Sequence, residues 1–254
     1  MDVSKIYLLG VQIHDLPIDN LLAFIVKTVS QNQRAIISNV NVHAMNLAYQ
    51  IPKFRQFLNE SDVVFCDGFG VKWGAKLLGY CIHNRYTPPD WIDLLCEECV
   101  QHNMSMYFLG AKTGVAEEAA VRLKQKHPLL QIVGCHHGFF DKQCDSAENQ
   151  AIRAEINRLN PDILILGFGM PTQELWLREN WDKINANVAI PAGALFDYVA
   201  QVIPRGPRWL TDRGFEWLGR LIIEPRRLWK RYIIGNPLFL WRVIKQRFGF
   251  EHFD

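Results

Sequence analysis

Ala35-Ile36-Ile37-Ser38-Asn39-Val40-Asn41 and Val63-Val64-Phe65-Cys66-Asp67-Gly68-Phe69-Gly70 decide the fold. In each, a short apolar run stops at small or polar residues and a segment with helical spacing follows. Strand, small-residue turn and helix in repetition predict a doubly wound parallel α/β sheet. In such a sheet the residues where a strand hands over to a helix line the crevice at the carboxyl edge, where ligands bind. Asp67 is thereby placed for chemistry. Gly68 and Gly70 leave room for backbone N–H groups and for the positive end of the next helix to approach an anion. The same residues also read as an N-cap Asp followed by turn glycines, since D-G is a common turn signal.

Working outward, Lys5 to Val11 reads as a strand, Ile18 to Val29 as a helix, and Val42 to Tyr49 and Lys53 to Asn59 as short helices before the Val63 strand. Val71 to Leu78 is the helix expected after Asp67. Arg85-Tyr86-Thr87-Pro88-Pro89-Asp90 reads as a loop because of its two prolines, with a helix from Asp90 to His102. Arg85 there is either a phosphate clamp, the holder of a carboxylate, or a surface arginine. Met104 to Leu109 is a buried strand running into Gly110-Ala111-Lys112-Thr113-Gly114, a ligand loop by position. Leu130 to Val133 is another strand, and in the loop after it Phe139 either stacks on a base or packs, with Phe140, in the core. Asp162 to Leu166 is the most apolar strand and leads into Gly167-Phe168-Gly169-Met170-Pro171-Thr172-Gln173-Glu174. Gly169 opens space in this turn, and Gln173 and Glu174 are read as pointing back to the crevice. Val188 to Ile190 is the last strand, followed by Gly193 to Tyr198.

Composition bounds the class. With 254 residues, 49% of them hydrophobic and 21% charged, the chain can bury a full core. The formal charge of +2 conceals an asymmetry: Arg205 to Arg247 holds 11 Lys/Arg against three acids, while the rest holds 17 basic and 23 acidic residues. Four of the eight tryptophans (Trp209, Trp217, Trp229 and Trp241) fall in the same basic stretch. From Pro225, Leu228, Trp229, Tyr232 and Ile233 are read on one helix side and Arg226, Arg227, Lys230 and Arg231 on the other, the pattern of an interfacial anchor. A helical extension packed on the core with a solvated basic face is the alternative. We therefore expect two parts, a Rossmann-like domain over 1–203 and a basic amphipathic helical appendage over 204–254 that associates with an anionic membrane surface. No basic n-region precedes a long apolar run at the N-terminus and no apolar stretch approaches 20 residues, so the expected location is cytoplasmic, peripheral on the inner face of the plasma membrane. Six cysteines are too sparse for a disulfide scaffold. The single Cys96-Glu97-Glu98-Cys99 pair lacks a second pair at zinc spacing, so no metal site is expected.

Taken in order, these turns resemble the WecG/TagA/CpsF family of bacterial glycosyltransferases. The resemblance is carried by Asn39-Val40-Asn41, Asp67 to Gly70, Arg85 to Asp90, Phe108 to Ala111, Gly169 to Glu174 and Gly193 to Tyr198. In the tail it is carried by Arg205 to Trp209, Glu216 to Leu221 and Glu224 to Arg227. It implies transfer of a sugar from a UDP-sugar donor to a polyprenyl-diphosphate-linked saccharide acceptor, in a Rossmann-like domain that needs no catalytic metal and no cofactor. It further implies Asp67 as general base, Gln173 beside the transferred sugar and Asn39 as a third catalytic position. Substrate contacts are implied at Asn41, Gly68, Arg85, Asp90, Gly110, Phe139, Gly169, Glu174, Asp197, Arg220 and Arg227. This sequence departs from the family at Asn39, where Thr is usual, and at Pro88, where Gly is frequent, which leaves the donor sugar, the acceptor and the Arg85–Asp90 loop open. A homo-oligomer is left open and no nucleic-acid partner is expected.

The chemistry of these residues is compatible with that implication. An acceptor hydroxyl must lose its proton as it attacks the anomeric carbon, and a crevice carboxylate can take it. No D-x-D pair sits in a turn, so helix N-termini, backbone amides and the tail arginines Arg220 and Arg227 are expected to meet the charge on the leaving UDP. Two other classes compete. A nucleotide-dependent Rossmann oxidoreductase requires G-x-G-x-x-G after its first strand, and Leu8-Leu9-Gly10-Val11-Gln12 lacks it. A non-catalytic membrane-surface binding module explains the basic tail but leaves Asp67 and Gln173 without a task.

Overall fold

The computed structural model describes residues 4–204, 216–251 and 253, and the chain forms two compact units. Met1–Leu16, Asn39–Thr87 and Pro204–Asp254 make the first; Pro17–Ser38 and Pro88–Ile203 make the second. The second unit ends at Ile203, and the tail from Pro204 is counted with the first. Periodicity did not show that the tail then joins residues 39–87 in one body. Arg205 to Trp209, part of the family pattern, lies outside the described residues, as does the side chain of Glu216.

In the first unit, the segment expected as a single strand is a hairpin. Strands β1 (Ser4–Leu8) and β2 (Val11–Asp15) pair antiparallel, with Leu8 opposite Val11. Leu9 and Gly10 form the turn at φ 48° and 75°; a two-residue turn whose twist suits a hairpin requires positive φ, which Gly10 adopts freely. After β3 (Ala35–Val40) come α2 (Val42–Gln50), α3 (Pro52–Glu60) and the fully buried β4 (Val63–Cys66), then α4 (Phe69–Leu77). The Asp67 N–H donates to the Val40 carbonyl (2.9 Å), tying the turn after β4 to the end of β3.

The C-terminal helices α10 (Glu216–Ile223), α11 (Pro225–Trp229) and α12 (Gly235–Arg247) belong to this same unit, with a π-helical turn at Lys230–Ile234. Helix α12 lies so close to α4 that a Cβ on Gly74 would stand 2.6 Å from the Phe239 ring. Phe239 and Val243 are buried there, each stabilising the docked helix by roughly 1.5–3 kcal/mol. Buried Arg242 donates to Asn46 Oδ1 (2.7 Å) and stacks 3.9 Å above the Tyr49 ring, and Asn46 Nδ2 donates to the Gly235 carbonyl (2.8 Å). The tail is therefore part of the packing of its unit. The helix side read as apolar is also divided: Leu228 and Tyr232 are buried while Trp229 and Ile233 are exposed. Leu228 and Tyr232, four apart, share the packed face, and Trp229 and Ile233, each one residue on, lie about 100° round the helix.

The second unit begins with α1 (Ile18–Ser30) and contains α5 (Pro88–Gln101), β5 (Ser105–Gly110), α6 (Val115–Lys126), β6 (Gln131–His136), α7 (Ala147–Leu159), β7 (Ile163–Gly167), α8 (Thr172–Asn180), β8 (Val188–Pro191) and α9 (Leu195–Val199). The sheet order is β4-β3-β8-β7-β5-β6, and β3·β8, β8·β7, β7·β5 and β5·β6 are parallel. Every residue of β7 is buried, which is why Ile163 to Leu166 reads as an unbroken apolar run. Pro88 and Pro89 open α5 instead of forming a loop before it, because the first helical turn has no intrahelical use for their missing N–H groups. Cys96 and Cys99 are buried in α5, and burial pushes the Cys96 thiol up to about 12. Gly110 and Gly167 lie side by side where β5 and β7 end; a Cβ on Gly110 would stand 2.5 Å from the Gly167 Cα. Among the described residues, no helix is long and apolar enough to cross a membrane.

Candidate active site

Asn41 is the residue on which the first unit's site is built. Its backbone is extended at the start of α2, so its Oδ1 accepts from the His43 and Ala44 N–H groups (3.0 and 3.1 Å) as a helix cap. That fixes the amide, and Nδ2 is left to donate to Asp67 Oδ2 (3.0 Å). Asp67 is half-buried at the end of β4, and Arg85 Nη1 donates to its carbonyl (3.3 Å) while the guanidinium lies 4.4 Å from the Phe69 ring centroid. Asn39 is buried near the end of β3. Gly68 and Gly70 serve packing as much as openness: a Cβ would meet Asn41 Cβ at 3.1 Å and Val42 Cγ2 closer still, so the starts of α2 and α4 touch through them.

Around Asp67 lies a cavity of about 260 Å³ whose charged lining is Asp67, Arg85, Arg220 and Arg231. Burial, with Arg231 nearby, pushes the His43 imidazole in its wall down to about 4, so that it is neutral at physiological pH. Arg231 was read from the sequence as part of the basic side of an interfacial amphipathic helix. In the structure its Nε is buried with no hydrogen-bond partner among the described residues, and burial lowers its pKa while Asp67 favours its charge. Arg227, expected over the diphosphate, does not line the cavity; it pairs with Glu224 (3.0 Å) on the exposed side of α11. The signal that could have found Arg231 is the π turn, which no periodicity announces.

The other expected positions are in the second unit. Gln173 is fully buried: its Oε1 accepts from the Gly169 and Gly193 N–H groups (3.1 and 3.3 Å), and its Nε2 donates to Glu174 Oε1 (2.8 Å). The amide thus holds the turns after β7 and β8 together. Gly110 ends β5, Asp197 sits in the first turn of α9 and Asp90 in the first turn of α5. The two phenylalanines divide: Phe139 is exposed, while Phe140 packs edge-on against Phe168 and Trp176.

Glu174 is buried and its Oε2 has no partner among the described residues, so desolvation raises its pKa to about 7. A carboxyl whose folded pKa lies above its unfolded one is protonated in both states at low pH. As pH rises through the ordinary carboxylate range the unfolded chain ionises first, and stability falls until pH 7. The shift corresponds to roughly 3 kcal/mol of stability lost by pH 8. Glu174→Gln is expected to raise the melting temperature at pH 8 and to leave it unchanged at pH 4.5; an equal effect at both would refute the ionisation.

The glycosyl transferase WecG/TagA/CpsF family model matches residues 6–252, nearly the whole chain. The chain belongs to that family. Relatives of this glycosyl transferase include proteins named N-acetylglucosaminyldiphosphoundecaprenol N-acetyl-beta-D-mannosaminyltransferase. That of Bacillus spizizenii is 27% identical over 217 residues, 85% of this chain and 81% of the relative. That of Bacillus subtilis is 26% identical over 92% of this chain and 91% of its own length, and that of Staphylococcus aureus 22% identical over 97% and 94%. A glycosyl transferase needs a base for the acceptor hydroxyl and positive charge for a departing phosphate. The cavity around Asp67 holds one carboxylate and three arginines.

Proposed function

We propose that the protein transfers a hexose or N-acetylhexosamine, such as N-acetylmannosamine, from a UDP-sugar to a polyprenyl-diphosphate-linked saccharide in the synthesis of bacterial cell-surface polysaccharide. The observation that carries the reading is the Asp67 carboxylate, oriented by a capped Asn41, in a cavity with three guanidinium groups. Asp67 takes the proton of the attacking hydroxyl. Arg85, Arg220 and Arg231 supply positive field to substrate diphosphates, adding to the helix N-termini that follow Asn41 and Gly68. Gln173 acts by positioning the Gly169 and Gly193 turns, and Asn39, where relatives in the family usually carry Thr, bears on the choice of sugar. The test is UDP release from a panel of UDP-sugars with a lipid-diphosphate saccharide, run with and without EDTA. One donor is expected to turn over, undiminished by chelation. Loss of turnover restored by Mg²⁺ or Mn²⁺ would demand metal ligands, and among the described residues no group of three or more His, Cys, Asp or Glu side chains is arranged to supply them.

The enzyme works, in this reading, as a peripheral protein on the inner face of the plasma membrane. Supporting it, Trp229, Ile233, Ile234, Trp241, Phe248 and Phe250 are exposed among the bases of the C-terminal helices. Tryptophan and aliphatic side chains beside Lys and Arg suit an anionic interface, each base contributing about 1 kcal/mol. Co-sedimentation with phosphatidylglycerol vesicles but not with phosphatidylcholine vesicles is expected. Absence of binding to both would make the exposed set a protein-contact surface instead.

A further inference from the structure

Arg85 reaches Asp67 from a segment without regular structure: residues 80–87 form neither helix nor strand. The backbone N–H groups of such a segment need acceptors from elsewhere in the fold, and those acceptors fix where Arg85 stands. On its C-terminal side, the Tyr86 N–H donates to the Cys66 carbonyl (3.2 Å) and the Tyr86 hydroxyl donates to the Leu16 carbonyl (3.3 Å). The Tyr86 ring stacks on Phe65 with centroids 4.8 Å apart. On its N-terminal side a single side chain serves as acceptor for two residues. Asp15, the last residue of β2, accepts on Oδ2 from the His83 N–H (2.9 Å) and from the His83 ring at Nδ1 (2.9 Å). Its Oδ1 accepts from the Asn84 N–H (2.8 Å) and from Asn84 Nδ2 (2.9 Å).

The anchor is the buried partner. The Asp15 side chain is 4% exposed and that of His83 is 74% exposed, so the loop is tied to the hairpin and not the hairpin to the loop. Burial alone would push the Asp15 carboxyl up, but the bonds from His83 and Asn84 hold it below the ordinary carboxylate range. The segment is therefore built around the charged form, whose two oxygens accept at both positions. Lys72 Nζ on α4 donates to the His83 carbonyl (3.1 Å), which closes the segment from the other side. Asp15 itself does not line the cavity around Asp67; Arg85 does. Between a fixed Asn84 and a fixed Tyr86, the Arg85 guanidinium comes to lie over the Phe69 ring with Nη1 against the Asp67 carbonyl.

We propose that Asp15 is a positioning residue for sugar transfer: by holding His83 and Asn84 with both carboxylate oxygens it sets the backbone at Arg85 and aims the guanidinium at the substrate diphosphate, a role that rests on the reading of Arg85 given above. A residue of the N-terminal hairpin, outside the cavity, thereby takes part in turnover.

The test is a double-mutant cycle in the full-length protein, read by turnover and, separately, by calorimetric binding of inorganic pyrophosphate. Arg85→Ala is expected to lower turnover about 10²-fold, as for other groups that face developing charge. Asp15→Asn keeps the size of the side chain but has one acceptor oxygen, so its amide NH2 faces one of the two pairs of donors. It is expected to lower turnover about tenfold, since a displacement of about 1 Å near the reacting groups can cost ~10²-fold. In the Arg85→Ala background the same change should cost less than about twofold, because no guanidinium remains to be aimed, whereas effects at independent sites add. Pyrophosphate affinity should show the same non-additivity. Equal losses in both backgrounds would make Asp15 a purely structural residue and overturn the proposal, as would wild-type turnover of Asp15→Asn. If thermal unfolding shows that Asp15→Asn does not fold, Asn84→Ala replaces it in the cycle, with an expected loss of about threefold that vanishes in the Arg85→Ala background. If the wild type releases UDP from no donor, the reaction reading falls and pyrophosphate binding alone decides. Weakening by Asp15→Asn only while Arg85 is present would then support the positioning role; weakening in both backgrounds, or no pyrophosphate binding by the wild type, would refute it.

Discussion

Asp67→Asn is expected to reduce transfer by about 10²–10⁴ while UDP binding stays within a few fold, because loss of a general base typically has that effect on rate. The substitution is well posed in this structure. Asn41 Nδ2 donates to Asp67 Oδ2, and an Asn side chain at 67 can turn its carbonyl oxygen to the same donor, so the hydrogen bond and the shape survive. The Asp67 N–H to Val40 and the Arg85 contact to the Asp67 carbonyl involve only backbone at that position, so they survive too. What disappears is the capacity to accept a proton. A single-turnover assay with saturating acceptor measures the step directly, and activity within tenfold of wild type would remove Asp67 from the role of base.

Arg231→Ala is expected to lower turnover by about 10²–10³, the scale seen when a preorganised group facing developing charge is removed. Its effect on stability should run the other way. A cation whose Nε is buried without a hydrogen-bond partner among the described residues contributes a desolvation penalty to the folded state, and Arg220 adds like-charge repulsion. Removing it should therefore leave the melting temperature unchanged or raise it, as for other strained functional residues. Turnover measured beside thermal unfolding separates the two roles. A loss of activity that tracks a loss of stability would make Arg231 structural; wild-type turnover would leave the diphosphate charge to Arg85, Arg220 and the helix ends. Arg227→Ala, at a solvent-exposed ion pair with Glu224, should change turnover little.

The sequence alone determined what depends on local periodicity and turn chemistry. The runs at 35–38, 63–65, 104–109 and 162–166 mark strands because buried parallel strands are apolar on both faces, and the polar or small residues after them fall at the strand ends for the same reason. The position of Asp67 after a strand is legible on that basis. The hairpin at Leu9-Gly10 was missed because its two strands are each five residues long and only the left-handed turn separates them. Other decisions belong to tertiary structure, since they pair residues remote in sequence. Nothing local says that Gln173 will exhaust its amide on Gly169, Gly193 and Glu174, or that Asn41 will both cap α2 and hold Asp67. Nor does composition show that a basic tail packs into the unit holding residues 39–87. That outcome rests on Gly74 admitting Phe239 and on Arg242 finding Asn46, nearly 200 residues away. Arg231 lies within the π turn, where the 3.6-residue repeat does not hold, and it lines the cavity.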